Sequence, residues 1–409
     1  MSATQASKRD RRQEILAATC RVVVRDGIDG IRSAGVAAEA GTSVGLVHYH
    51  YPTLDDLVLA AYLWDEERAW TPIVELSPDA DPVAVLRLLL EGQLAAAESD
   101  VRASFMLWQE YTRRAVFDEA IRAAVVLRIG RWLDAMSELI RVAHARGVCT
   151  WSVDTGRASL HLAAALFGAS TLYLIDLIPV DEATADMRTI LDRVLATRQP
   201  LPVAAMAPRR LAALAPPDGS TADAILDATL RVIARGGIRS VHFADVAQEA
   251  GVSTALPRYH HGTRDSLLAA AFARFVGQRR DRALRRAAEI DDPRERVRDA
   301  VLMDAALTSY ERHDARVIWH EFLRLGFVRE DLRGAIGAAV EADIEHIAAL
   351  IAQAQAADAA AAGVVPRAAA RRLVEALIGL DLGGLLGLVD DEWAMRILSW
   401  AVADELDQA

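Results

Sequence analysis

Two eight-residue segments, 210 positions apart, combine small side chains with side chains that can form hydrogen bonds. The first reads Ser43-Val44-Gly45-Leu46-Val47-His48-Tyr49-His50, and the second reads Ser253-Thr254-Ala255-Leu256-Pro257-Arg258-Tyr259-His260. Small residues at the start of a helix allow it to approach base edges in the DNA major groove closely. Tyrosine and histidine suit contacts with phosphate oxygens, and an arginine can pair with guanine through two hydrogen bonds. Both segments therefore have the chemistry expected of a helix that reads DNA.

The two segments lie inside a longer internal repeat. Residues 15–61 align with residues 225–271 without a gap, and 24 of the 47 positions are identical. Such a period is too long for a solenoid and predicts whole domains fused in tandem. Each copy follows the order helix, glycine turn, short helix, glycine turn, short helix, which is the layout of a helix-turn-helix.

Glycines and capping residues predict where these helices begin and end. In the first copy Gly27 ends the first helix, and the second helix covers residues 33–40 before Gly41. Ser43 is expected to cap the third helix, and the fourth is expected to start near Asp55. The second copy repeats this pattern, with Pro257 at the fourth position of its third helix, where the loss of one amide donor has a modest cost.

We expect DNA contacts from the third helix of each copy, from the start of the fourth helix and from a basic arm within residues 1–12. The predicted contact residues are Lys8, Arg9, Arg12, Arg32, Ser43, Val44, Gly45, His48, Tyr49, His50, Thr53, His242, Ser253, Thr254, Ala255, Arg258, Tyr259, His260, Thr263 and Arg264. The alternative is that the tyrosines and histidines of this set pack or cap the domain. A metal site at His260 and His261 is disfavoured because adjacent helical residues point apart.

The composition is that of a globular protein with two or more domains. The chain has 409 residues, of which 53% are hydrophobic, and a formal net charge of -11. A negative total does not exclude DNA binding, because binding uses a small face. Cys20 and Cys149 have no counterparts in the other copy, which argues against a disulfide framework and favours a reducing cytoplasm. The first residues lack the apolar stretch of a secretory signal.

Two apolar runs, Ser159 to Val180 and Leu373 to Val389, have two interpretations. The first is long enough to cross a bilayer, but both contain charged residues and they occupy equivalent places in the two copies, 211 residues apart. We expect buried helices at a subunit-like interface, with membrane insertion as the alternative.

The sequence predicts five consecutive regions. They are a helix-turn-helix domain at 1–60, a helical domain at 61–196, a proline-rich linker at 197–221, a second helix-turn-helix domain at 222–270 and a second helical domain at 271–409. We call residues 1–196 the first copy and residues 222–409 the second copy.

The segments AAEAGTSVGLVHYHYPTLDDLVLAA and AQEAGVSTALPRYHHGTRDSLLAA resemble the DNA-binding segment of the TetR family of transcriptional regulators. The later segments WQEYTRRAVFDEAIR and WHEFLRLGFVREDLR are similar to the start of the ligand-binding region in BetI-like members. The resemblance implies an all-α fold of two fused TetR-like units, each with a helical ligand-binding and dimerisation domain. One chain would then supply both halves of the family's usual dimer, as an intramolecular pseudo-dimer.

The resemblance also implies a small-molecule effector, whose identity the sequence does not indicate. The cavities that bind this effector are expected to be mostly apolar, with an aspartate side chain as a polar anchor. The candidate lining residues are Phe105, Trp108, Tyr111, Phe167, Tyr173, Asp176, Trp319, Phe322 and Asp381. The alternative is that Trp108 and Trp319 belong to the core.

Three features make the two copies unequal. Many family members carry a lysine after the threonine that starts the fourth helix, where this chain has Leu54 and Arg264. His48 is matched by Arg258, and only the first copy has the basic arm. We therefore expect a repressor that binds an asymmetric double-stranded operator, either as a single chain or as a dimer of chains.

Two other classes of function stay open at this stage. An interaction protein with one or both DNA-binding heads decayed would explain Leu54, Pro257 and the acidic balance. A helical enzyme has no nucleophile elbow, phosphate-binding loop, dinucleotide-binding fingerprint or zinc motif in its support, and the sequence predicts no cofactor and no metal.

Overall fold

The computed structural model describes residues 3–74, 80–91, 94, 98–149, 154–196, 220–302, 307 and 309–407. Every regular element within these residues is a helix, which confirms the all-α prediction. The chain divides into two compact units, Met1–Val148 and Cys149–Ala409.

The first unit begins with the predicted helix-turn-helix and continues into three further helices. Helix α1 packs against α2, α4 and α6, and a short 3₁₀ turn at Ile28–Gly30 follows α1. The helices are α1 (Ala3–Asp26), α2 (Ser33–Glu39), α3 (Val44–His50), α4 (Leu54–Val74), α5 (Pro82–Glu91), α6 (Glu98–Phe117) and α7 (Glu119–Ala145).

The second unit contains two helices of the first copy followed by the whole second copy. The helices are α8 (Thr155–Leu174), α9 (Val180–Ala196), α10 (Thr221–Gly236), α11 (Phe243–Ala250), α12 (Leu256–His261), α13 (Arg264–Ala288), α14 (Pro293–Val301), α15 (Ser309–Val328), α16 (Glu330–Ala356), α17 (Pro366–Leu386) and α18 (Asp391–Asp407). Most of the predicted linker, residues 197–219, lies outside the described residues, and Ser220 caps α10 through a reciprocal pair of hydrogen bonds with Asp223.

Glycines that the two copies share occupy backbone conformations that other residues rarely adopt. Gly27 and Gly237 have φ angles of 69° and 72° where the first helix of each bundle ends. Gly41 and Gly251 have φ angles of 61° and 67° in the turn before the third helix. A side chain at these positions would be strained, so the glycines fix the turns of the helix-turn-helix.

The cores of the two helix-turn-helix bundles use equivalent positions. The buried apolar residues are Ile15, Ala18, Val22, Val36, Ala37, Val47 and Leu57 in the first bundle and Ile225, Ala228, Val232, Val246, Ala247, Pro257 and Leu267 in the second. This shared core explains why the framework positions of the repeat are so similar.

The two apolar runs form α8 and α17, which pack directly against each other within the second unit. This contact explains why α8 belongs to the same compact unit as the second copy. Within the described parts of the chain, no helix is both long enough and apolar enough to span a membrane.

Candidate DNA-binding surfaces and effector region

Helix α3 presents most of its predicted contact residues to solvent. The Ser43 hydroxyl accepts a hydrogen bond from the backbone N–H of Leu46 at 3.2 Å, which confirms Ser43 as the cap of this helix. Val47 is buried and anchors the helix. Tyr49 is 69% exposed, so packing within the bundle does not account for it. The other exposed members of the set are Ser43, Val44, Gly45 and His48, and His50 is half-buried.

Helix α12 has the same pattern of exposure but begins later than predicted. Its first helical residue is Leu256, and Ser253 makes no capping hydrogen bond through its side chain. Pro257 is therefore the second residue of the helix and not the fourth, because a proline without an N–H is best accommodated in the first turn. Tyr259 is 82% exposed. Ser253, Thr254, Ala255, Arg258 and His260 are also exposed.

The two helices differ at one central polar position. The Arg258 guanidinium lies 5.3 Å from the ring centroid of Phe243, which comes from α11. A cation–π contact of this kind restrains a long side chain without consuming its hydrogen-bond donors. The first copy has His48 in place of Arg258 and Ser33 in place of Phe243. Only the second copy therefore has an arginine at this exposed position of its third helix.

The start of the fourth helix is capped in both copies. The Thr53 hydroxyl accepts a hydrogen bond from the Asp56 N–H at 3.0 Å, and the Thr263 hydroxyl accepts one from the Ser266 N–H at 3.1 Å. Arg264 is half-buried, and its guanidinium donates to the backbone carbonyls of Val241, at 2.9 Å, and Ile238. Part of its donor capacity is thus used inside the domain.

The basic arm continues into α1. Arg12 is exposed, and its Nε donates to the Tyr51 hydroxyl at 3.0 Å. The side chains of Lys8 and Arg9 lie outside the described residues. Arg32 and His242 are exposed at equivalent positions before the second helix of each bundle, and Arg32 also donates to the Ile31 carbonyl at 2.7 Å.

Matched ion pairs fix the second helix of each bundle to the first. Arg21 and Arg25 contact Glu39, and the Arg21 Nε to Glu39 Oε1 distance is 2.7 Å. In the second copy Arg231 and Arg235 contact Glu249 in the same way. Because these arginines are exposed, the pairs add little stability, but they neutralise the carboxylate beside the turn.

A buried glutamate connects each helix-turn-helix bundle to the helices that follow it. The Glu110 carboxylate, on α6, accepts a hydrogen bond from the backbone N–H of Ile28 at 2.6 Å. In the second copy Glu321, on α15, accepts one from Ile238 at 2.5 Å. The two glutamates are 0% and 1% exposed. The sequence signal for this structural contact is that the glutamate is retained in both copies, 211 residues apart.

The predicted effector residues of the first unit lie in a buried aromatic region with polar groups. Phe105 and Tyr111 are buried, and Trp108 is half-buried. The Tyr111 and Tyr62 rings are 4.7 Å apart, and the buried Tyr62 hydroxyl has no hydrogen-bond partner among the described residues. Burial raises the pKa of Tyr62 to about 12.

The α8 members of the predicted effector set lie in the second unit. Phe167 and Tyr173 are buried, and the Phe167 ring lies 6.4 Å from the imidazole of His320 on α15. Asp176 is exposed just beyond the end of α8, where it pairs with Arg333 at 2.6 Å. The structure thus places Asp176 at the surface and not among the buried aromatic residues, because α8 has already ended there.

The corresponding region of the second copy is filled by aromatic rings. Phe322 lies 4.8 Å from Phe272, and Trp319 is stacked on Phe272 with centroids 6.5 Å apart. Asp381 is paired with Arg316 at 2.8 Å. Tyr62 of the first copy corresponds to Phe272. Trp319 and Phe322 therefore pack as core residues, and the guanidinium of the buried Arg279 lies 4.5 Å from the Trp319 ring centroid.

Comparison with known protein families supports this assignment of the two bundles. The family model described as bacterial regulatory proteins, tetR family, matches residues 15–61 and 225–271. These are the two bundles from within α1 to within α4 and from within α10 to within α13.

Individual relatives match parts of the chain. The HTH-type transcriptional regulator BetI of Rhizobium meliloti is 39% identical over 74 residues, and the match covers 18% of this chain and 36% of that protein. The HTH-type transcriptional repressor KstR of Rhodococcus jostii is 25% identical over 130 residues, covering 32% of this chain and 59% of that protein. The chain thus spans between about a third and three fifths of these curated relatives.

Solved structures match about half of the chain. A TetR-family transcriptional regulator from a Rhodococcus species is 27% identical, with a TM-score of 0.41, and covers 46% of this chain and 98% of its own. A transcriptional regulator from Saccharomonospora viridis in complex with choline is 25% identical, with a TM-score of 0.42, and covers 45% of this chain and 96% of its own.

The fold and the exposed α3 and α12 helices define a protein with two helix-turn-helix bundles in one chain. Both bundles match the same family model. The chain therefore has a tandem TetR-like arrangement, with one tetR-family segment at residues 15–61 and a second at residues 225–271.

Proposed function

We propose that this chain is a ligand-responsive transcriptional repressor that binds an asymmetric operator as an intramolecular pseudo-dimer. The observation that carries the proposal is the pair of recognition helices, α3 and α12, which share their pattern of exposure and differ in their polar residues. A helix of this kind reads bases through its first turns while nearby residues contact phosphates.

The asymmetry of the operator follows from the polar residues of the two helices. Arg258, held over Phe243, is suited to a guanine in the half-site read by α12. His48 cannot make that bidentate contact, so the half-site read by α3 requires a different base at this position. Identical subunits favour a palindrome, whereas two different heads in one chain do not.

The pseudo-dimer is supported by the packing of α8 against α17. These helices occupy equivalent positions in the two copies, and both are almost entirely buried. In this proposal they replace the interface between two subunits and keep both heads within one chain.

Glu110 and Glu321 provide the route by which an effector acts on DNA binding. Each carboxylate ties the 3₁₀ turn of a DNA-binding bundle to a helix of the effector region. A ligand that shifts α6 or α15 would move the bundle with it and lower operator affinity by its differential binding energy. Among the two regions, the polar surroundings of Tyr62 favour the first copy as the effector site.

The proposal is tested by retardation of the DNA upstream of the chain's own gene. Binding should weaken steeply with salt because several phosphates are contacted, with a slope that counts them. Absence of retardation at about 50 mM salt and micromolar protein would contradict the repressor function and favour a protein whose DNA-binding heads have decayed.

A matched pair of variants tests the role of the second head. Arg258→Ala should reduce discrimination at one base pair by about 1–3 kcal/mol. Arg131→Ala, which removes an exposed arginine from α7, should leave both affinity and sequence preference unchanged. A uniform effect of Arg258→Ala on all sequences would assign it to phosphate contact.

A further inference from the structure

The contact between α8 and α17 has the geometry of a two-fold interface. A methyl group on Gly168 would overlap the backbone of Glu375, and a methyl group on Gly379 would overlap the backbone of Ala164. At the offset of 211, Gly168 corresponds to Gly379 and Ala164 corresponds to Glu375. Each copy thus uses the same two positions against the other, which is the reciprocal pattern of an isologous interface.

One half of this interface carries a buried ion network between the copies. Arg371 contacts Asp186 at 2.5 Å and also contacts Glu182. Arg372 contacts Asp186 at 3.4 Å and makes a bidentate pair with Glu405 at 2.7 and 2.6 Å.

A third arginine of the network comes from the first copy and pairs with a carboxylate of the second copy. Arg193, from α9 of the first copy, contacts Glu405 of α18 at 2.6 Å. Burial and the adjacent Asp186 carboxylate raise the pKa of Glu375 well above its usual value. Among the described residues, the three arginines of this network contact four carboxylates, those of Glu182, Asp186, Asp404 and Glu405.

The equivalent positions in the other half of the interface are mostly uncharged. At the offset of 211, Arg371 corresponds to Leu160, Arg372 to His161, Asp186 to Ile397, Glu182 to Trp393 and Glu405 to Val194. Burial lowers the pKa of His161 to about 4, so this residue is neutral. The ion network therefore forms only where α8 and α9 of the first copy pack against α17 and α18 of the second copy.

We propose that this interface is heterotypic: α8 and α9 select α17 and α18 as their partner and reject a second copy of themselves. A pairing of two first copies would place Asp186 and Glu182 against Leu160 and His161. A pairing of two second copies would place Arg371 against Ile397 and Trp393. The first pairing leaves the buried Asp186 carboxylate without its arginine, and the second leaves the largely buried Arg371 without its carboxylate, which is strongly disfavoured.

The partner of the α8 and α9 surface is thus the α17 and α18 surface of the same chain, and Asp186 and Arg371 determine the specificity. The heterotypic interface rests on the intramolecular pseudo-dimer proposed above and is independent of DNA binding. Since both partners belong to one chain, charge complementarity favours closure of the chain on itself over assembly through like halves.

The experiment uses the full chain with a protease site introduced between residues 197 and 219. After cleavage, native mass spectrometry distinguishes the mixed pair of fragments, with the 44.4 kDa mass of one chain, from pairs of identical fragments. The cleaved wild-type chain should remain a mixed pair. Asp186→Asn, which keeps the size of the side chain, should weaken the mixed pair by about tenfold or more. Asp181→Asn, at an exposed site on the same helix, is the matched control and should have no effect.

A charge exchange provides a second variant. Arg371→Asp alone should disrupt the mixed pair, and the combination with Asp186→Arg should recover it, while circular dichroism verifies that each variant remains helical. Pairs of identical fragments as abundant as mixed pairs, or an Asp186→Asn variant as tight as the control, would overturn the heterotypic interface alone. Complete separation of the wild-type fragments would overturn the pseudo-dimer itself.

Discussion

Two buried carboxylates at equivalent positions of the two copies each accept a hydrogen bond from a backbone N–H. Glu110 and Glu321 each satisfy a backbone N–H at the start of a 3₁₀ turn, where no helical carbonyl is available. Such a charge-assisted hydrogen bond is stronger than one between neutral groups, and removal of one partner leaves a buried group unsatisfied.

Replacement of Glu110 by glutamine should weaken the attachment of the first bundle to α6. The amide oxygen can still accept a hydrogen bond, but the charge is lost, so the free energy of unfolding should fall by about 1–3 kcal/mol. Urea denaturation measures this change. Glu119→Gln, an exposed glutamate at the start of α7, is the control, and an equal loss in both variants would contradict the role of Glu110.

His161 makes the stability of the second unit sensitive to acid. Burial lowers its pKa to about 4, although the nearby Glu405 carboxylate acts in the opposite direction. An unfolded histidine has a pKa of about 6.5, so between these values the unfolded chain binds a proton that the folded chain excludes. Stability should therefore fall as the pH drops through this window, by about 3 kcal/mol in total.

His161→Phe should reduce this pH dependence while an aromatic ring remains next to Trp400. Urea denaturation at several values between about pH 7 and pH 4 gives the slope of stability against pH for wild type and variant. His313→Phe, at an exposed position of α15, should retain the wild-type slope. An unchanged slope in His161→Phe would show that other groups control the acid sensitivity.

At the scale of elements, the α8 and α17 helices approach each other closely because glycine occupies the contact points. The Cβ of an alanine at position 168 would collide with the backbone of Glu375, which cannot move aside as a flexible side chain can. The helices would have to separate and lose packing along their length.

Gly168→Ala should therefore destabilise the second unit by about 3 kcal/mol, the upper part of the range for overpacked sites. Thermal or urea unfolding provides the measurement. Gly334→Ala is the control, since this exposed glycine on α16 has open space around it and alanine is favoured in a helix by about 1 kcal/mol. Similar behaviour of the two variants would refute the close helix contact.

The recognition helices differ in where they start, and one residue accounts for the difference. The Val47 amide donates to the Ser43 carbonyl at 3.2 Å, a bond that Pro257 cannot make. Pro257→Val should allow α12 to begin two residues earlier, at Thr254, with Ser253 as its cap, and Val47→Pro should shorten α3. Selection from random DNA should then show an altered preference in the half-site of the changed head, and an unaltered preference in both variants would contradict this explanation.

The sequence was a good guide to the helix-turn-helix bundles because their signals are local. Gly27, Gly41 and Ser43 determine turns and caps through their own backbone conformations and nearest hydrogen bonds, so their positions predict the helix boundaries. Pro257 was placed two positions too late in its helix, since Ser253 was taken as the cap there too.

Contacts between distant segments could not be predicted in the same way. The hydrogen bond from Ile28 to Glu110 and the ion pair of Asp186 with Arg371 join residues 82 and 185 positions apart. Arg264 looked available for phosphate, yet it donates to backbone carbonyls of its own domain. Such partners depend on how helices pack, which spacing along the chain does not encode.

At the scale of the whole molecule, the duplication combines a retained framework with divergent surfaces. The cores and glycine turns of the two bundles are equivalent, whereas the polar residues of α3 and α12 differ. The α8 and α17 contact is reciprocal in its glycines but ionic in only one half. Both differences are possible because the two halves belong to one fused chain. Such halves need not be identical, whereas the subunits of a homodimer must be.

The most direct test of this account is selection of binding sites from random DNA with the intact chain, combined with native mass spectrometry of the resulting complex. The account predicts one chain bound to a site with two different half-sites, one of which contains a guanine that depends on Arg258. A perfectly palindromic site, or two chains required for every site, would contradict it.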